Sequence, residues 1–367
     1  MIGSVAFIAA VVIFSQHLIT EAAWETASIT SSPQLPRASW NRAKVEAIKV
    51  KGLYLTAYSA GNPAKINEII KLVSSTELNA IVIDVKDYSG YVLYNSQLPF
   101  VNKLKLKSVR IKDLSALAAK LRQNNIYAIA RISSFQDPLL AEKKTDWAIK
   151  SKKGGLWRDK KGLAWVDPTN RNVWKYVASI AKEATEAGFD EINFDYIRFP
   201  TDGPMNDIIY TNGGQKRREV IANFFKFMSA EFQDAPVYLS ADLFGLTTEK
   251  SGEDDMMIGQ RLSDAVKYFD YVCPMVYPSH YPPNYLNYKN PADHPYEVVF
   301  HAMTAGMKQA VGARAHLRSW IQDFNMGAIY DGAKVRAEIK ASDDAGADGW
   351  ILWNAANRYD SKGLLAE

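Results

Sequence analysis

The stretch DEINFDYIRFP, Asp190 to Pro200, decides how the chain is read. It reads as a buried strand that carries acids to its C-terminal end and stops at a proline. Strand side chains alternate, so Ile192, Phe194 and Tyr196 are expected on one face and Asn193, Asp195 and Ile197 on the other. Asp195 then shares a face with an amide and an aliphatic group. An unpaired carboxylate in such a place is costly or shifts its pKa. Asp195 is therefore either a functional acid or a structural one bonded to Arg198 or to a loop backbone.

Outward from this strand, similar apolar, β-branched or aromatic runs recur. Upstream lie Val50 to Thr56, Ala80 to Asp87 and Tyr127 to Ile132; downstream lie Val237 to Leu243, Tyr271 to Tyr277, Ala315 to Trp320 and Gly349 to Asn354. Helical patterns separate them. One starts near Pro63 with Ile66, Ile69, Ile70 and Val73 at helical spacing, and another runs from Val173 to Ala187 before Gly188. Others are expected at Ile111–Asn124, Gln215–Phe232, Arg261–Lys267, Glu297–Val311 and Gly332–Ala345. Strands alternating with helices mean a parallel sheet, and eight such strands fit a closed (β/α)8 TIM barrel. A doubly wound open sheet would ordinarily bring a glycine-rich phosphate turn after its first strand. Ser59-Ala60-Gly61-Asn62-Pro63 is not one, and no Walker motif occurs.

The 367 residues are 47% apolar and 23% charged, as expected of a chain with a sizeable core. The net charge of +4 is small for this length, and its lysine runs have no RNA-binding or helix-turn-helix signature beside them, which argues against a nucleic-acid partner. A single cysteine, Cys273, excludes an internal disulfide and a multi-cysteine zinc site; in its apolar run it reads as a buried, inert thiol. His280, His294 and His301 have no ligand spacing with carboxylates, so no metal and no cofactor are expected.

The apolar run Val5 to Phe14 suits a signal-peptide core and is short for a membrane span. Export is expected, with an uncleaved membrane anchor as the alternative. The expected organisation is a signal peptide or anchor at 1–23, a Ser/Pro-rich linker at 24–48, the barrel at 49–360 and a C-terminal tail at 361–367.

In such barrels the chemistry sits at the strand C-termini. Asp84 and Asp87 fall there on the second strand, Arg131 on the third, Asp195 and Arg198 on the fourth, and Asp242 on the fifth. Tyr277, Trp320, Trp353 and Asn354 close the ring from the sixth to the eighth. Aromatic faces stack on sugar rings and paired carboxylates cleave glycosidic bonds, so a carbohydrate substrate is expected. Asp195 and Asp242 are the candidate catalytic pair. Strands about 4.8 Å apart put their carboxyl groups about 5–9 Å apart, which spans the retaining and inverting geometries. Asp195 would be nucleophile or charge stabiliser, with Arg131 or Arg198 as its cation, and Asp242 the acid, kept protonated by apolar surroundings. The other eight residues are candidate substrate contacts. Asp84 has an ion pair with Lys86 as its structural alternative, and Trp320 and Trp353 have barrel-top core as theirs. A barrel that binds glycans without cleaving them is the alternative function.

Several segments together resemble a bacterial family of largely uncharacterised glycoside hydrolases carried on a TIM barrel. They are Val50 to Thr56, Asn79 to Asp87, Asn193 to Pro200, Ser240 to Gly245 and Cys273 to Pro278. The resemblance covers about residues 49–360 and implies a barrel and a carbohydrate-cleaving ancestry. The fourth strand is also similar to the chitinase-type motif D-G-x-D-x-D-x-E, with Asp190, Asn193 and Asp195 at its acids. Ile197 stands where the motif has its catalytic glutamate. An acid on strand four with another on strand five is similar instead to the amylase arrangement, an analogy of fold.

Overall fold

A computed structural model describes Trp40, residues 42–211 and residues 214–367; the apolar segment at 1–23 and most of the expected linker lie outside the described residues. Eight parallel strands close into a ring: β1 (Val50–Leu55), β2 (Ala80–Lys86), β3 (Tyr127–Ser133), β4 (Glu191–Asp195), β5 (Tyr238–Phe244), β6 (Tyr271–Met275), β7 (Ser319–Gln322) and β8 (Gly349–Trp353). Each pairs with its neighbours in sequence, and β1 pairs with both β2 and β8. The connections carry α1 (Pro63–Val73), α2 (Leu114–Gln123), α3 (Arg171–Ala187), α4 (Arg217–Glu231), α5 (Leu262–Ala265), α6 (Pro295–Ala310) and α7 (Gly332–Asp344). This is a (β/α)8 TIM barrel.

Local chemistry accounts for the elements. Asn62 accepts from the Ala64 and Lys65 N–H groups ahead of α1, Pro63 sits at its first turn, and Ile66, Ile69, Ile70 and Val73 are the buried stripe. The α3 stripe runs through Val173, Val177, Ile180 and Ala184, and the helix stops at Gly188, whose φ of 106° is left-handed. Each large apolar side chain buried along these stripes contributes about 1.5–3 kcal/mol.

The strands bury both faces, and their inward side chains fill the barrel. Val50, Val82, Ile129, Cys273 and Ile351 pack with Tyr54, Tyr127, Tyr271, Tyr277 and Trp320 in one cluster. Cys273 is fully buried there, and burial pushes its thiol up. Deeper polar groups interrupt this core. Arg318 and Glu191 are both wholly buried, and Arg318 Nη1 donates to both Glu191 carboxylate oxygens at 2.9 and 3.1 Å.

Several boundaries differ from the sequence reading. Val45 and Ile48, expected in the linker, pack on the barrel core, and Arg42 donates to the Gly188 and Pro236 carbonyls. In the expected tail, Leu365 and Glu77 exchange backbone and side-chain hydrogen bonds. Neither segment has an apolar period, because each is held by contacts remote in sequence. The seventh strand is broken at Arg318: His316–Leu317 pairs with β6 before β7 begins. The loop after β2 contains two further strands, Val92–Tyr94 and Lys107–Ile111, which extend the sheet beyond β2. The long connection after β3 folds into short bridges and packs Trp157 and Trp165 with Ile149 and Ile208.

Candidate active site

The register fixes which side chains meet. Asn193 of β4 lies opposite Ser240 of β5, so two residues further along each strand Asp195 and Asp242 stand side by side. They converge on one guanidinium, that of Arg131. Arg131 Nη2 donates to Asp195 Oδ2, Nη1 donates to Asp84 Oδ1 at 2.6 Å, and Nε lies 3.5 Å from Asp242 Oδ2. The Tyr54 hydroxyl donates to the other Asp84 oxygen. Arg131 is thus the cation that Asp195 requires, and Arg198 is not in contact with it.

Asp242 is 1% exposed. Asn193 Nδ2 and Trp320 Nε1 both donate to its Oδ1, at 2.8 and 2.7 Å. Desolvation, with the Asp195 charge adding to it, pushes the Asp242 carboxyl up to about 8 against the opposing pull of Arg131. Oδ1 is occupied as a double acceptor, which leaves Oδ2 as the oxygen free to carry a proton. Burial also raises the Asp84 carboxyl, opposed chiefly by Arg131.

The chain ends β4 abruptly. Tyr196 has φ 51°, a left-handed conformation that costs a bulky residue about 1–3 kcal/mol. The bend brings the Tyr196 N–H onto Asp195 Oδ1 at 2.5 Å and turns the Tyr196 ring into the mouth beside Asp195. Alternation had assigned that ring to the opposite face. Gly245, after β5, is also set by geometry: a Cβ there would lie 2.4 Å from the Met275 carbonyl oxygen.

A cavity of about 610 Å³ opens above these groups. Of the residues expected at the rim, Asp195, Asp242, Arg131, Arg198, Tyr277, Trp320 and Trp353 line it. Trp353 stacks on Tyr54 with ring centroids 4.1 Å apart, and the half-exposed Tyr88 and Phe244 add further flat faces at the rim. Three expected contacts lie elsewhere. Asp84 is buried beneath Arg131. Asp87 accepts the Ser89 N–H at 3.0 Å in a turn. Asn354 folds the loop after β8, donating to the Asp323 and Arg358 carbonyls and accepting from the Ala356 N–H. The Asp84–Lys86 ion pair, the structural alternative for Asp84, does not form. A register shift after Asp84 turns Lys86 away, and it pairs with Asp137 at 3.0 Å.

Sequence reasoning missed Tyr54, Asn193 as a donor to Asp242, and Gln260. Gln260 accepts the Phe244 N–H at 3.0 Å and donates to the Ile197 carbonyl, tying the loops after β4 and β5 together. Tyr54 lies one residue before the end of β1 and packs in the barrel core, so the strand-end rule that found Asp84 would have found it. Lys161 and Leu163 reach the cavity from the connection after β3 and carry no such signal. Among the described residues no group of three His, Cys, Asp or Glu side chains is placed to hold a metal ion. No helix among them is long and apolar enough to cross a membrane.

Comparison with known proteins bears on the fold and the family. The glycoside hydrolase domain of PgaB (BpsB) from Bordetella bronchiseptica superposes with a TM-score of 0.61 at 13% identity, over 86% of this chain and 98% of that one. Alpha-L-fucosidase isoenzyme 2 from Paenibacillus thiaminolyticus gives 0.57 at 13% identity, over 84% of this chain and 47% of the enzyme. At these identities the likeness is one of fold. A hypothetical protein from Ruminiclostridium thermocellum is 40% identical over 52% of this chain and 96% of its own, with a TM-score of 0.49. No curated protein matches the sequence. Residues 52–359 match the family described as "putative glycosyl hydrolase domain", and the chain belongs to that family.

Proposed function

We propose that the protein is a glycoside hydrolase that cleaves a polysaccharide with Asp195 and Asp242. One observation carries the reading: two carboxyl groups from adjacent strands share the Arg131 guanidinium and face the same aromatic-lined cavity. The Asp242 proton on Oδ2 passes to the glycosidic oxygen as its bond to the anomeric carbon breaks, and the bonding pair leaves with that oxygen. Asp195 stabilises the positive charge that develops on the sugar, as a nucleophile or as the base for water. Arg131, anchored by Asp84, fixes Asp195, and Asn193 and Trp320 fix Asp242. Trp353, Tyr88 and Phe244 offer stacking faces to sugar rings. Export through residues 1–23 belongs to the same proposal, since it would bring the enzyme to a polysaccharide outside the cytoplasm.

The test is reducing-sugar release from a panel of polysaccharides by the wild type, Asp195→Asn and Asp242→Asn. Release from at least one polymer, lost in both variants, is the expected result. A polymer that is bound tightly but cut by none of the three proteins would identify a glycan-binding barrel instead.

A further inference from the structure

Arg198, just past the end of β4, is not used by the chemistry proposed above. Its side chain is 11% exposed and its guanidinium lies over two aromatic faces, 4.9 Å from the Trp165 ring centroid and 5.5 Å from that of Phe244. Nη1 donates to the Phe199 carbonyl at 3.2 Å and approaches Asp202 at 3.9 Å. Nε and Nη2 have no hydrogen-bond partner among the described residues, so most of a five-donor fork is unused. The guanidinium nonetheless lines the cavity. Burial lowers the Arg198 pKa, with Asp202 the largest opposing charge.

Its surroundings do not supply the missing acceptor. Asp195 is held by Arg131. Asp159 accepts from the Lys161 and Leu163 N–H groups and from Trp165 Nε1, so its oxygens are engaged. Asp202 has a half-exposed side chain, and so loose a pair contributes little. The Lys160 N–H donates to the Asp202 carbonyl at 2.6 Å, which holds the Lys161 turn against this loop, and exposed Lys161 also lines the cavity. Arg198 and Lys161 thus face the cavity here beside the loosely paired Asp202.

We propose that Arg198, assisted by Lys161, is a subsite for an anionic substituent, the carboxylate of a uronic acid or a sulfate ester, on a sugar of the substrate. A planar guanidinium backed by aromatic rings matches a bidentate oxyanion. The inference rests on the cavity being the glycan site proposed above, and it names the substrate class as acidic polysaccharide.

Calorimetric titration tests it with three probes: penta-galacturonate, its carboxyl-reduced counterpart and a sulfated galactan oligosaccharide of the same length. The proteins are the full chain and its Arg198→Gln, Arg198→Lys and Lys161→Ala variants. The wild type is expected to bind an acidic probe about ten- to a hundredfold more tightly than the neutral one, the worth of a charge-assisted hydrogen bond or two. The acidic probe that wins tells carboxylate from sulfate. Arg198→Gln removes the preference, Arg198→Lys restores part of it, and Lys161→Ala, at an exposed position that leaves the fold intact, lowers it. Equal affinity for neutral and acidic probes, binding of none, or a preference that survives in a folded Arg198→Gln overturns the proposal. If Arg198→Gln does not fold, an undiminished preference in Lys161→Ala overturns it. An Arg198-dependent preference without hydrolysis sinks the glycosidase reading alone, and hydrolysis without the preference sinks this one alone.

Discussion

At Asp242, burial favours the protonated form that the proposed acid role needs. Its carboxyl is raised by desolvation and then by Asp195, which favours the protonated form. A general acid must be protonated to act, so activity is expected to fall as pH rises through about 8, and a pH–rate profile checks this alkaline limb. Asp242→Asn should lower kcat about 10²–10⁴-fold on natural polymers. The same shift bears on stability. The folded pKa lies above the unfolded one, so this contribution is fully present below about pH 4 and is lost as pH rises through about 8. Urea unfolding across that window should show a decline that Asp242→Asn makes shallower. Arg131 hydrogen-bonds to Asp84 and Asp195 and lies 3.5 Å from Asp242. Arg131→Met leaves them facing one another without a cation, and should cost about 3–5 kcal/mol in a urea titration.

At the scale of elements, β4 shows what the sequence discloses. Its inward acids and amide follow from alternation, and register carries Asp195 to the side of Asp242. The rule holds while the backbone stays in the strand conformation. It fails at Tyr196, where a left-handed residue that is not glycine leaves no trace in composition, and after Asp84, where a register shift sends Lys86 to Asp137. Helix stops were readable because they rest on local chemistry. Gly188→Ala, at φ 106°, should cost about 1 kcal/mol in thermal unfolding. The Arg318–Glu191 pair was not readable, since its partners come from β4 and the break before β7. Arg318→Met alone should destabilise by about 3–5 kcal/mol by stranding Glu191, and adding Glu191→Leu should recover much of it.

For the whole molecule, eight strands separated by seven helical patterns sufficed to expect closure, and the pairing of β1 with β8 completes it. The walls of the cavity were less legible. They are built by long connections whose contacts are remote in sequence, such as Trp157 and Trp165 against Ile208. The function proposed for the barrel's mouth rests on a division of labour between Asp195 and Asp242. The direct measurement is kcat/KM on a cleaved polymer and on a matching aryl glycoside whose leaving group needs no proton. The account predicts that Asp195→Asn fails on both substrates, while Asp242→Asn fails on the polymer and keeps most of its activity on the aryl glycoside. Wild-type rates for both variants on the polymer would contradict it.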